Sequence, residues 1–324
     1  MRAVGALLAA LVLGATTAAA AAPAPAPPDP RDADGRFTLV VLPDTQVEVL
    51  ESPHKVVRRA LWLVQQEEAE DIRYVTHVGD VVDWDTPDHV QYRRMHRATR
   101  LLDRAGIPWS FGIGNHDSLA TCEGGRACPG WTPDLARQTQ TFNAYFGTDR
   151  AAVTGTMEPG KVDNSYATFS AAGADFLVLH VELWPREEAV AWADAVLAAH
   201  PDHNVLVVTH SYLEADGTVQ QHQGGYGSTS PQHLWDAALR RHANVRMVFS
   251  GHVGTTAHLV QRGDAGNPVH AVLTTYHDRV GTPTRLVEVD VPAGTFTTRV
   301  VSPTTGTTFA DGSSFTATGM DWLR

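Results

Sequence analysis

Five times along this chain a strand-length apolar run gives way to a cluster of carboxylate, amide or imidazole side chains. Residues 37–42 run into Pro43-Asp44-Thr45-Gln46, and residues 74–78 into Gly79-Asp80-Val81-Val82-Asp83. Residues 107–113 lead to Gly114-Asn115-His116-Asp117, residues 205–208 to Thr209-His210-Ser211, and residues 245–249 to Ser250-Gly251-His252. In open α/β sheets, ligand sites form beyond the carboxyl ends of the strands, so these clusters would meet there. One such tetrapeptide alone is a weak signal; an ordered set of them is a strong one.

The segments between the runs fit that frame. Residues 54–70 have a helical pattern with Val57, Leu61 and Val64 on one face, and residues 88–104 carry Met95, Ala98 and Leu102, with Ala105 just beyond, on one stripe. The order β-α-β-α-β implies parallel strands joined by right-handed crossovers. A short helix is expected over 142–146, a hairpin over 165–170 and 176–181, and a helix over 186–200. Ser230 can cap a further helix with Pro231 in its first turn. Beyond His252 the long helices stop, and the runs 269–276, 286–291 and 295–301 read as antiparallel strands. No composition break follows, so 37–324 is taken as one catalytic domain.

The 324 residues allow ample core. With 25 basic and 36 acidic residues, the net charge is −11 and no basic run stands out. A nucleic-acid backbone or an anionic membrane is therefore not expected as the main partner. A small phosphorylated substrate remains open, because bound cations can supply local positive charge. Arg2, the short apolar run 7–13 and the alanines at 18–22 read as a cleaved signal peptide over 1–22 rather than a membrane anchor. Residues 23–36 read as an Ala/Pro-rich linker, with the folded part beginning near Phe37. In a secreted monomer, Cys122 and Cys128 are expected to pair.

Carboxylate, amide and imidazole without thiolate suit borderline-to-hard divalent ions such as Mn, Fe or Zn. The ordered clusters resemble the calcineurin-like metallophosphoesterases, whose pattern is Asp-x-His, Gly-Asp-x-x-Asp, Gly-Asn-His-Asp/Glu, a lone His and Gly-His-x-His. The second, third and fourth motifs match in full, the first and fifth in part, and the resemblance spans 37–252 at least. It implies a four-layer α/β/β/α sandwich of two mixed β-sheets, two divalent metal ions, and hydrolysis of a phosphate mono- or diester by a metal-bound hydroxide. Carried over by residue, Asp80 would bridge the metals. Asn115, His210 and His252 would complete one metal site, and Asp44 would bind the other. His116 would face the substrate and protonate the leaving oxygen, with Asp117 orienting it and Asp83 holding a loop or a histidine.

Two departures touch the Asp44 site. Gln46 and Gly254 stand where the family has histidines. A glutamine oxygen ligates weakly and glycine offers no side chain, so either that metal binds weakly or another group completes the site. His277, in Thr275-Tyr276-His277-Asp278 after a late apolar run, is the best candidate and His258 a poorer one. The competing class is a secreted metal- or phosphate-binding protein on the same scaffold without turnover. His77 and His180, inside apolar runs, are read as packed core residues, and Trp84 and Trp109 as core before cleft. Tyr212 and the loop 221–226 are the expected specificity elements.

Overall fold

Alternation along the strands decides what each sheet faces. In Arg36–Leu42, Phe37, Leu39 and Val41 point into one cluster, and Val40 and Leu42 into another. The computed structural model describes residues 29–277 and 281–324. The first set meets Phe176, Val178, Leu206, Val208, Met247 and Phe249 of a second sheet, so one core lies between two sheets. Val40 and Leu42 pack instead on Val56, Ala60 and Leu63 of helix Pro53–Gln66 and on Met95, Ala98 and Leu102 of helix Val90–Ala105. On the far side, Val205 and Val207 pack on Val190, Ala193 and Leu197 of helix Glu187–Ala199 and on Leu234 and Trp235 of helix Pro231–Ala237. The layers are therefore α/β/β/α.

Both sheets are seven-stranded and mixed. In the first, Trp109–Phe111, Ile72–His77 and Arg36–Leu42 run parallel, and Thr284–Asp290 and Thr295–Ser302 continue the sheet antiparallel. In the second, Ala174–Val181, Asn204–Thr209, Val245–Ser250 and Pro268–Thr274 form a parallel block. The hairpin partner Ser165–Ala171 lies at one side of that block and Thr256–Arg262 at the other. Each parallel strand delivers its carboxyl end to the same region, which gathers the polar clusters.

Several expectations are corrected. Pro268–Thr274 is not antiparallel to its neighbour in the interior; it pairs parallel with Val245–Ser250. The strand Thr256–Arg262, unanticipated because its apolar alternation is weak, supplies the antiparallel edge. The buried face of Pro53–Gln66 is Val56, Arg59, Ala60 and Leu63, while Leu61 is 44% exposed. Arg59 turns inward because Glu48, Thr284 and the Pro283 carbonyl receive its guanidinium. Ala105, at the end of its helix, is exposed. Ordered structure also begins before Phe37. Asp29 caps the short helix Pro30–Asp34, and Asp32 accepts the Ala172 N–H at 2.9 Å. The signal-peptide reading and the start of the linker fall outside the described residues. Among those described, no helix is long and apolar enough to cross a membrane. Cys122 and Cys128 form a disulfide across the ribbon of Thr121–Cys122 and Arg126–Ala127.

Candidate metal centre

The strand ends are tied to one another before any side chain ligates. The Thr45 and Gln46 N–H groups both donate to the Asp80 carbonyl, at 3.0 and 3.1 Å. Asp44 N–H donates to the Thr275 carbonyl, and His252 N–H to Asp44 Oδ2 at 3.0 Å. His116 N–H donates to Asp80 Oδ1 at 3.0 Å. Gly114 makes this last approach possible, since a Cβ there would collide with the Asp80 carboxylate. Beneath the site, His77 Nδ1 accepts from Gly79 N–H, so its Nε2–H donates to Thr45 Oγ1 at 2.9 Å, and Thr45 donates onward to the Val81 carbonyl. The core reading of His77 holds: it is buried and braces the ligand loops without joining them.

Asp80, His210 and His252 place ligand atoms within 4.8 Å of one another. His210 Nδ1–H donates to the Val78 carbonyl at 3.1 Å, which leaves the Nε2 lone pair facing Asp80 Oδ2 at 3.1 Å without a hydrogen bond. Such an outward N–H anchor is the usual companion of a ligating imidazole. Asn115 Oδ1 is buried and also unpartnered. Beside this group, His277 Nε2 lies 3.1 Å from Asp44 Oδ2 and 3.2 Å from Gln46 Nε2, and Gln46 Nε2 donates to Asp80 Oδ2 at 3.2 Å. Asp44 Oδ1 and Gln46 Oε1 are buried without partners. Unpaired buried acceptors are costly, and a cation would satisfy all of them together. The donor set, oxygen and imidazole nitrogen with no thiolate, fits divalent metal.

The electrostatics agree. Burial works against the charged form of Asp80, but His210 and His116 outweigh it and hold the carboxyl far below its ordinary value. Burial likewise disfavours His210 as a cation, yet Asp80 and Asp44 lift it to about 9. Burial, together with His210, holds His252 down to about 3. Burial raises Asp44 despite the opposing charges of His210 and the hydrogen bond from His277. These carboxylates and imidazoles share a protonic charge where a metal would place a positive one.

His116 is oriented by Asp83, not by Asp117. Its Nδ1–H donates to the Asp83 carbonyl at 2.6 Å and lies 3.2 Å from Asp83 Oδ1, leaving Nε2 4.0 Å from Asp80 Oδ2. Burial opposes protonation of this ring, but Asp80 and the Asp83 hydrogen bonds raise it to about 10. Asp117 instead accepts the backbone N–H groups of Val81, Val82 and Gly114, which clamps the Asp80 loop to the His116 loop. Burial and Asp80 push its carboxyl up to about 7. One motif-adjacent expectation falls away, since Tyr212 is buried with its hydroxyl on Gln261, whereas Trp109 lies in the core as expected. His258 pairs with His270 at 3.0 Å and stacks on Phe315, not on any proposed ligand. Trp184 went unanticipated. Its ring meets His252 edge-on, with centroids 5.1 Å apart, and only its place after the strand Ala174–Val181 hinted at it.

No family model matches the chain. The uncharacterized protein YvnB of Bacillus subtilis (strain 168) is 29% identical over 253 residues, which span 75% of this chain and 18% of YvnB. The chain thus spans about a fifth of the length of the curated relative it matches. Among solved structures, a dimetal phosphatase from Danio rerio aligns with a TM-score of 0.54 and 14% identity, over 87% of this chain and 98% of that one. GAP50, the anchor in the inner membrane complex of Plasmodium, aligns at 0.48 and 11%, over 87% and 88%. The Danio likeness is one of fold: two mixed β-sheets packed face to face with helices outside.

Proposed function

We propose that the protein is a secreted hydrolase of a small phosphate mono- or diester, dependent on two divalent cations such as Mn, Fe or Zn. The convergence of buried Asp80 and His210 with half-buried His252, beside the unpartnered side-chain oxygens of Asp44, Gln46 and Asn115, carries this reading. Asp80, Asn115, His210 and His252 would hold one cation, and Asp44, Gln46 and His277, with Asp80 in common, would hold the other. The metals, when bound, polarise phosphoryl oxygen and lower the pKa of water. The chain's own part is to hold His116 with Nδ1 fixed on Asp83 and Nε2 turned toward Asp80. That ring can then pass a proton to the departing alcohol. His277 would take the part of the ligand that Gly254 lacks, and its contact with Asp44 supports that compensating role. The disulfide fits an extracytoplasmic protein.

The test measures bound metal per chain and hydrolysis of paired chromogenic phosphate mono- and diesters with added Mn. Expected are about two metals and turnover lost in both His116→Ala and Asp80→Ala, a drop of roughly 100-fold or more. His277→Ala should lose one metal. Metal binding without turnover on either ester would establish the non-catalytic binding protein instead.

A further inference from the structure

Trp184 follows the strand Ala174–Val181 into the ligand-bearing end, 2% exposed and with φ at +42°. A bulky residue in the left-handed region persists only where its surroundings over-determine it. Here they do. Arg137 donates to the carbonyl oxygens of Leu183 and Trp184, at 2.9 and 2.8 Å. The indole Nε1–H donates to Gln220 Oε1 at 2.6 Å, and the same oxygen accepts from Ser211, the neighbour of His210, at 2.7 Å. One edge contact ties the indole to His252.

Tyr226 stacks on this fixed indole, with centroids 5.4 Å apart and planes 27° from parallel. The loop reads Gly224-Gly225-Tyr226-Gly227, and its glycines permit the approach. A Cβ at Gly224 would overlap the indole, and one at Gly227 would strike the Trp184 carbonyl. The Tyr226 ring is only half-buried, and among the described residues its hydroxyl has no hydrogen-bond partner. Partial burial, with the Asp80 carboxylate adding to it, pushes its phenol up.

We propose that Tyr226, held on Trp184, is a stacking platform that selects phosphate esters whose alcohol portion is a planar aromatic or heteroaromatic ring. A ring immobilised from behind offers contact area without the entropic cost of ordering it on binding. Aromatic ligands prefer offset stacking on such a surface. Trp184, on which Tyr226 stacks, meets His252 edge-on, so an ester whose phosphoryl group engages the metals would have its alcohol within reach of the Tyr226 ring. The inference rests on reading the centre as a phosphoester site, but its test does not depend on turnover.

Binding of phenylphosphonate and cyclohexylphosphonate to the Mn-loaded protein is measured by calorimetry. The two differ in planarity at similar size. Phenylphosphonate should bind about 5- to 10-fold more tightly, a stacking-sized difference. Tyr226→Ala should erase that preference while metal content stays unchanged, and Tyr226→Phe should keep it. Equal affinities in the wild type, a preference that survives Tyr226→Ala, or a loss in Tyr226→Phe as large as in Tyr226→Ala would overturn the platform. Failure of every ester to turn over sinks the hydrolase reading and leaves the phosphonate preference measurable. Turnover without the preference sinks the platform alone.

Discussion

His180 is buried at the end of an apolar run, with its Nε2 2.7 Å from Ser110 Oγ, which is itself 2.6 Å from the Tyr74 hydroxyl. The structural reading made for it from sequence stands. Burial alone pushes this imidazole down to about 3, from an ordinary 6.5. Between those values the unfolded chain takes up a proton that the folded chain refuses. Its contribution is therefore complete above about pH 6.5 and is lost as pH falls toward about 3, at up to about 1.4 kcal/mol per pH unit. Urea melts should show this residue costing about 2 kcal/mol between about pH 7.5 and about pH 5. His180→Asn should flatten that limb; a variant as steep as the wild type would assign the acid sensitivity elsewhere. The candidate set of Asp80, His210 and His252 was legible because each is a metal-competent residue type at a strand end. The exchange of roles between Asp83 and Asp117 was not. Which carboxylate meets His116 depends on backbone paths across two loops, and both residues lie within a few positions of a motif.

The elements hold the centre through their ends. Thr45 links the loop after Arg36–Leu42 to the Asp80 loop through His77 and Val81, and it touches no proposed ligand through its side chain. Thr45→Ala should weaken Mn retention by roughly 10-fold, in the manner of outer-shell substitutions at metal sites. Chelator competition reads this directly, with His77→Phe as the companion variant. Unchanged retention with a lowered melting point would limit Thr45 to a packing role. Strand existence was legible from continuous apolar runs. The pairing of Pro268–Thr274 was not, because a run buried on both faces reads the same whether its neighbour is parallel or antiparallel. The buried face of Pro53–Gln66 was misplaced for a related reason. Arg59 joins the interior only because Glu48 and Thr284 arrive from elsewhere in the chain.

At the scale of the molecule, two sheets share a core that is closed at one margin by the segment after Phe315–Thr318. Trp322 packs on Phe176, with centroids 6.0 Å apart, and Leu323 exchanges backbone hydrogen bonds with the Asn204 side chain. Trp322→Ala should cost about 3–5 kcal/mol in urea denaturation while metal stoichiometry is unchanged, because the cavity opens within the inter-sheet core. Loss of metal in step with stability would instead couple the core directly to the centre. The sequence by itself determined the order of strands and helices and the residues competent to bind metal, since both follow from local periodicity and from side-chain chemistry at the ends of apolar runs; the four-layer arrangement was only what the family resemblance implied. Only the tertiary structure decided that His277 reaches Asp44, that Asp83 rather than Asp117 turns His116, and that Trp184 meets His252 with Tyr226 stacked on it. Those three are meetings between segments far apart in the chain, or between loops whose backbone directions no local pattern encodes.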